Sequence, residues 1–395
     1  MPTQKRISKP LLLGGLLLVL AVAVWVALPR LQQRWSAPLG PSLDLPTHTP
    51  TEPPPTSTTA PTQTVQAGAA TRQTPGAVDF TLTPTLEPTA TNSPTPTPEP
   101  LCGGPPVMMA LAVGVDTEDD TYTYGLGDAI RVARVDFVTP KLTVLSIPRD
   151  LWVEIPGISD HYGITHGKLN QSYFYGSPGM GYYDGPGAGA GLMARTLDLN
   201  FGLRADHYGA LNMLTFVRIV DAVGGIDVFL PTDIDGTPPD SHTEDMGYFY
   251  AGQNHFSGEE ALRFSRIRKY YNDFTRMDHQ TMVLCALREK LLTPSVLPRL
   301  PQIIAAFQDS VITDLSLEQM GQLACLLPHI KRENLLFTSL PQELFSPGRV
   351  QGSQQGGLLE KETFVLDADY DVIRDYVQQF IAGTWPNQPK QPSCP

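Results

Sequence analysis

The sequence predicts an α/β fold: a single mixed-sheet α/β domain flanked by helices, set behind an N-terminal transmembrane helix and a disordered stalk. Three observations predict it. Residues 11–28, LLLGGLLLVLAVAVWVAL, carry no charge over a length that crosses a bilayer as a slightly short helix. Residues 36–101 are dominated by Pro, Thr, Ser and Ala, with hardly any large apolar side chain to bury. From Val107 onward, apolar runs of strand length alternate with stretches of helical period.

Lys5, Arg6 and Lys9 precede the apolar run, which places residues 1–10 in the cytoplasm and the rest outside. Arg30 and Arg34 add charge on the far side. A signal peptide is the rival reading, but its apolar core would be shorter, and PRLQQRW after the run lacks a small-residue cleavage pattern. The favoured reading is an uncleaved, single-pass anchor at the cell membrane with an extracytoplasmic domain. Residues 29–101 read as a stalk of polyproline II character whose hydroxyls are candidate glycosylation sites and which holds the domain, 102–384, away from the membrane. Residues 385–395 are a C-terminal tail.

The 395 residues carry a formal charge of -12, so general nucleic-acid binding is excluded and any basic cluster answers to something local. Four cysteines in an exported chain permit disulfides in three pairings, and Cys102–Cys394, at the two ends of the folded region, is the one expected. No CxxC or Cys/His spacing points to zinc.

VMMALAVGVD (107–116), DAIRVARVDFV (128–138) and KLTVLSIPRD (141–150) read as three strands running up, back and up. Chain reversal alone then gathers Asp116, Asp128 and Arg149 at one edge. Two carboxylates there suit a hard divalent cation, Mg²⁺ with Mn²⁺ as a substitute, completed by water and phosphate; ordinary polar loop ends are the bland alternative.

SGEEALRF (257–264) opens with a capping box, Ser257 and Glu260. FSRIR then reads with period two, which would point Arg266 and Arg268 the same way, with Phe264 and Ile267 as anchors. Asn272 or Asp273 caps a longer helix, about Phe274 to Leu292, with Met277, Leu284, Leu287 and Leu291 on its buried face. Arg276 and Gln280 lie one turn apart near its start, where backbone N–H groups and guanidinium groups favour a phosphate. A solvated face of surface ion pairs to Asp273, Asp278 and Glu259 is the alternative.

Further on, 192–203 and 213–225 are amphipathic helices, core by default, with Leu214, Phe216, Val217 and Val220 able to line an apolar slot only if helix and sheet separate. The glycine-rich stretch 177–191 lacks nucleotide-loop spacing and reads as a flexible loop, with Tyr182 and Tyr183 as candidate sugar-stacking residues. His161, His166 and His279 read as structural or exposed. Residues 303–345 look mainly helical, and 363–381 reads as a strand followed by a helix.

In order and spacing, GVD (114–116), Asp128 entering a strand, LSIPRD (145–150), KLNQSYFYG (168–176), IVDAVGGIDV (219–228) and GEEALRFSRIR…DFTRMDHQ resemble the LytR–CpsA–Psr family, over roughly 110–292. The resemblance implies a membrane-anchored phosphotransferase that moves a glycopolymer of teichoic acid or polysaccharide type from a polyprenyl pyrophosphate carrier onto peptidoglycan, assisted by Mg²⁺. The prenyl chain would sit in an apolar pocket of the α/β domain. It implies metal-associated roles for Asp116 and Asp128, and pyrophosphate contacts from Arg149, Arg266, Arg268 and Arg276. Lys168, Asn170 and Gln280 join these arginines as substrate-binding residues, and Asp273, with Asp150 as a rival, is the candidate base. Where many members have Arg this chain has Leu126, and where they have a basic residue after GxD it has Thr117 and Glu118; Arg131 is the candidate replacement. A binding-only regulator or scaffold for lipid-linked pyrophosphate glycans, and a prenyl pyrophosphate hydrolase, would use the same residues.

Overall fold

The computed structural model describes residues 33–46, 98–117, 121–238, 244–268, 273–299, 302–303, 310–351, 362–386 and 394. The apolar run 11–28, its flanking Lys5, Arg6, Lys9 and Arg30, most of the Pro/Thr-rich tract, Glu118 and Asn272 lie outside them. Among the described residues no helix is long and apolar enough to cross a membrane. Of the described residues, 33–45 belong to the same compact unit as those from Glu99 onward.

β1 (Val107–Val115), β2 (Gly127–Asp136) and β3 (Lys141–Ile147) run up, back and up, antiparallel in turn, as their order in the sequence predicts. The hairpin of β4 (Trp152–Glu154) and β5 (His166–Lys168) leads into α1 (Leu169–Gly176). After α2 (Ala188–Phe201), β6 (His207–Asn212) lies parallel to β1, and α3 (Met213–Ala222) follows with the Asn212 side chain accepting from the Thr215 amide. β7 (Ile226–Leu230) pairs with β10 (Gly252–Phe256), and β8 (Ile234–Asp235) with β9 (Tyr248–Phe249). Then come α4 (Gly258–Arg266), α5 (Asp273–Leu291), β11 (Val311–Thr313), α6 (Leu317–Leu326) and β12 (Leu335–Ser339). A last hairpin, β13 (Phe345–Gln351) with β14 (Glu362–Ala368), precedes α7 (Tyr370–Ala382). The central sheet has the order β11-β6-β1-β2-β3-β12 and is mixed, with β6 and β12 parallel to their neighbours β1 and β3.

Alternation along these strands gives the sheet two unlike faces. One cross-strand row is Tyr208, Leu111, Val132 and Leu145, each fully buried. It packs with α1, α2 and α7 through Tyr173, Leu192, Leu197, Val377 and Phe380 into the main core. The adjacent row, on the other face, is Gly209, Ala112, Arg131 and Ser146. The small Gly209 and Ala112 leave a gap on this face, and Ala112 is solvent-exposed, whereas Arg131 and Ser146 are buried. Over this face lie α3, α4 and α5, which have a separate core of their own with β7 and β10, built from Val220, Ile226, Phe256, Phe264 and Val283.

Several expectations change. The disulfides are Cys102–Cys325 and Cys285–Cys394, not Cys102–Cys394. Cys102 lies beside α6 and Cys394 inside a small cluster with Phe137 and Cys285, so closeness to the domain's ends did not predict the partner. FSRIR is not extended: α4 continues through Arg266, and Ile267, 1% exposed, turns the chain. On α5 the buried positions are Arg276, Met277, His279, Val283, Cys285 and Ala286, while Leu284 and Leu287 are half-buried and Leu291 is exposed. A helix packed between a sheet and a second core is covered on more than one side, so a single stripe misplaces its face. Residues 303–345 contribute two sheet strands, β11 and β12, too short to show a period in sequence. The glycine-rich stretch ends as a loop at Gly187 (φ 80), because α2 begins at Ala188. There Gly189 packs so close to α1 that a Cβ would lie 2.7 Å from the Tyr173 carbonyl oxygen.

The Pro/Thr-rich tract also differs at its start. Residues 38–45 lie along the domain: Pro38 bridges to Ser316, the Leu39 amide donates to the Leu315 carbonyl (3.3 Å), and Leu43 and Leu45 pack against the main core.

Candidate functional site

The ends of β1, β2 and β3 and the start of α5 place the charged residues together. Asp116 directly follows β1 and is held by the main chain of Leu126: its amide donates to the Leu126 carbonyl (3.0 Å), and the Leu126 amide donates to Oδ1 (2.5 Å). Position 126 thus holds Asp116 through its backbone. Asp128 is the hub. Arg149 Nη1 donates to its Oδ2, Asn170 Nδ2 to its Oδ1 (3.0 Å), and Arg276 Nη2 to its backbone carbonyl (3.0 Å). Asn170 is set by its own amide, which donates to the Arg149 carbonyl at 3.1 Å.

Asp273 opens α5 with Oδ1 2.6 Å from Arg276 Nη2 and 3.8 Å from Arg149 Nε. The shorter contact is misaligned for a hydrogen bond, so both Asp273 oxygens, Arg276 Nε and Arg149 Nε are buried without hydrogen-bond partners among the described residues. Asp150 lies 3.7 Å from Arg149 Nε and takes Lys168 Nζ at 2.7 Å. Unmet donors and acceptors in such a cluster are costly unless a ligand or water engages them.

Electrostatics follow from burial. Desolvation raises the Asp116 pKa above the usual carboxylate value, against the Leu126 hydrogen bond, and the like charge of Asp128 adds to it. Desolvation also raises Asp273 and lowers Arg276, each partly offset by the other. A cation between Asp116 and Asp128 would relieve their repulsion. Among the described residues no group of three or more His, Cys, Asp or Glu is arranged to hold a metal.

Next to this cluster, a cavity of about 230 Å³ runs between the sheet's open face and α3, α4 and α5. Gly209, Ala112, Gly114 and Ala129 form its floor, and Met213, Phe216, Leu262 and Val283 its cover, with Asp116, Asp128, Arg266, Arg276 and Gln280 also on its wall. Phe216 thus lines the slot from the 213–225 helix, whereas the 192–203 helix belongs to the main core.

The expected residues are not equally placed. Asp116, Asp128, Arg149, Asn170, Asp273 and Arg276 come together, with Gln280 and Arg266 on the cavity wall and Lys168 tied in through Asp150. Arg266 pairs with Glu244 at 3.0 Å and is partly exposed. Arg268, past Ile267, is exposed and is not on the cavity wall. Arg131 is buried under α5, donating to the Met277 carbonyl (3.0 Å) and Thr281 Oγ1 (3.2 Å), and burial lowers its pKa to about 10, still cationic at neutral pH. It braces α5 against the sheet and also lies on the cavity wall. His279 is buried against the Phe264 ring, its pKa lowered by desolvation to about 4. His161 stacks on Tyr182 at 4.4 Å and His166 on Trp152 at 6.3 Å. The floor residues Ala112 and Gly209 were missed; the available signal was alanine and glycine at alternate positions of strands otherwise rich in large apolar residues.

A family model described as the LytR_cpsA_psr family matches residues 106–364. A polyisoprenyl-teichoic acid–peptidoglycan teichoic acid transferase, TagU of Enterococcus faecalis, is 29% identical over 250 residues, 62% of this chain and 74% of that protein. The TagU of Halalkalibacterium halodurans is 30% identical over 217 residues, 54% of this chain and 62% of that one. Among solved structures, B. subtilis TagV aligns with a TM-score of 0.51 at 22% identity, over 70% of this chain and 97% of TagV. TagT bound to LIIa-WTA aligns at 0.51 and 20% identity, over 70% and 91% of the two chains. At these identities the structures show a shared fold.

Proposed function

The chain belongs to the LytR–CpsA–Psr family, and from that premise we propose that it is a membrane-anchored phosphotransferase that moves a glycopolymer from a polyprenyl pyrophosphate carrier onto peptidoglycan. One observation carries the reading: the apolar slot and the carboxylate–arginine cluster share a single cavity, with Asp116, Asp128, Arg131, Arg266, Arg276 and Gln280 on the wall of a cleft otherwise lined mostly by Ala, Gly, Val, Met, Phe and Leu. A ligand that is a hydrocarbon at one end and a pyrophosphate at the other matches it. At about 230 Å³ the slot lies below the ~300 Å³ at which small-ligand pockets usually begin. It therefore takes part of a prenyl chain unless α3–α5, which have their own core, move off the sheet.

Arg149 and Arg276 hold the pyrophosphate oxygens and stabilise charge building on the departing prenyl phosphate, while a hydroxyl of the acceptor attacks the other phosphorus. Mg²⁺ at Asp116 and Asp128 would supply further charge neutralisation. Asp273, whose raised pKa makes it a better proton acceptor than an ordinary carboxylate and whose oxygens are ion-paired with Arg276 but not hydrogen-bonded, takes the hydroxyl proton. Residues 11–28 would keep the domain on the membrane where the carrier resides. The test is Mg²⁺-dependent loss of a polyprenyl pyrophosphate glycan with a peptidoglycan fragment as acceptor, beside Asp116→Ala and Arg266→Ala. Tight binding with no turnover, with or without the acceptor, would refute transfer and leave a binding protein; turnover to water alone would leave a hydrolase.

A further inference from the structure

We infer that residues 38–45 are a clamp that holds the folded domain close to the bilayer, so that the length of the Pro/Thr-rich tract 46–98 does not set the domain's distance from the membrane. The inference rests on reading residues 11–28 as a membrane span. The segment that follows docks on the domain. Pro38 bridges to Ser316, the Leu39 amide donates to the Leu315 carbonyl, Tyr208 Oη donates to the Pro41 carbonyl (3.1 Å), and Arg204 Nη2 donates to the Leu45 carbonyl (3.4 Å). Leu43 and Leu45 pack against the main core. Gly40 shows how close the approach is: a Cβ there would lie 2.7 Å from the Thr313 carbonyl oxygen and 3.3 Å from Tyr208 Oη. A segment serving only as a solvated spacer has no need of a glycine pressed onto the edge strand of the sheet.

The other end of the tract is fixed too. The Leu101 amide donates to the Phe137 carbonyl at 2.9 Å, and Cys102 is disulfide-bonded to Cys325. The tract therefore leaves and re-enters the same compact unit, and its length does not enter the distance from membrane to domain. That distance is set by residues 29–37, which reach no further than about 35 Å even when fully extended. A polyproline II stalk over 29–101 would extend to roughly 220 Å. For a site whose carrier has its tail in the membrane, the short connection keeps slot and lipid within reach of each other.

The test uses the full chain in vesicles, with a donor fluorophore at Leu317, an exposed residue next to the clamp's Ser316 contact, and acceptor-labelled lipid headgroups. Tract length is varied by removing residues 56–88 or by duplicating them. The expected result is energy transfer that does not depend on tract length. In Gly40→Val, and more strongly in Gly40→Val with Leu43→Asp, transfer becomes length-dependent and falls for the longer tract. Length-dependent transfer in the unaltered chain, or length-independence that survives both substitutions, would overturn the clamp. A chain that fails to float with vesicles would overturn the anchor reading and the clamp with it. Neither readout needs catalysis, so failure of the transferase reading is seen separately, in turnover.

Discussion

Gly209→Val separates a slot for an apolar chain from a packing defect. A Cβ at Gly209 meets nothing within 4 Å, and the residue lies on the cavity floor in a β-strand that suits a β-branched side chain. Three added carbons at about 0.8 kcal/mol per buried CH₂ would give ~2.4 kcal/mol if fully covered. The cavity is open at its charged end, which with the lost rotamer freedom reduces this to roughly 1 kcal/mol. Removing a strand glycine adds about 0.5 kcal/mol or more. Stability should rise by about 1–2 kcal/mol, a Tm increase of roughly 2–6 °C by thermal scan. The same methyl groups occupy the path of a prenyl chain, and overpacking of ~1–3 kcal/mol corresponds to a fall in kcat/KM of roughly 5- to 150-fold. A pyrophosphate glycan on a short lipid, too short to reach the floor, should turn over as before. A lower Tm would mean the space is not there. A higher Tm with unchanged long-chain turnover would mean that the chain does not enter it.

Arg266→Ala should abolish turnover with little effect on Tm, since its partner Glu244 is exposed, whereas Asp273→Ala should abolish turnover and also destabilise by about 3 kcal/mol, because it strips a buried partner from Arg276 and Arg149. Because burial lowers the His279 pKa from 6.5 to about 4, the folded state resists its protonation: this cost is absent above about pH 6.5 and grows as pH falls toward 4. His279→Phe should flatten stability against pH across that window, and an unchanged slope in denaturant titrations would show that other groups control it. Cys285→Ser with Cys394→Ser, removing the bridge, should lower unfolding free energy by about 2–5 kcal/mol.

The fold's first three strands, and with them the meeting of Asp116, Asp128 and Arg149, were legible because each strand is a long apolar run with its charged residue at one end. The capping box of α4 and the start of α5 were legible for a similar reason, since side-chain oxygens at helix starts are local signals. What escaped was set by contacts distant in the chain. Arg131 reads as one more basic residue, and only the packing of α5 over β2 makes it a buried brace. β11 and β12 are too short for a period and exist because the sheet has edges to fill. The floor of the slot escaped because it is formed by what Gly209 and Ala112 lack. Residues 38–45 read as part of a proline-rich tract, yet Gly40, Leu43 and Leu45 fit this particular surface.

The Cys285–Cys394 bridge has a consequence for the order in which the protein can mature. Cys102 and Cys325 can pair as soon as the chain extends to residue 325, but the helix bearing Arg276 and Gln280 cannot be tied until residue 394 has followed. During that interval Cys285 is an open thiol beside two candidate wrong partners. Early closure of Cys102–Cys325 protects against misbridging and leaves locking of the helix as the final step. A chain ending before residue 394 would hold its strands in place while its arginine helix was still unsecured.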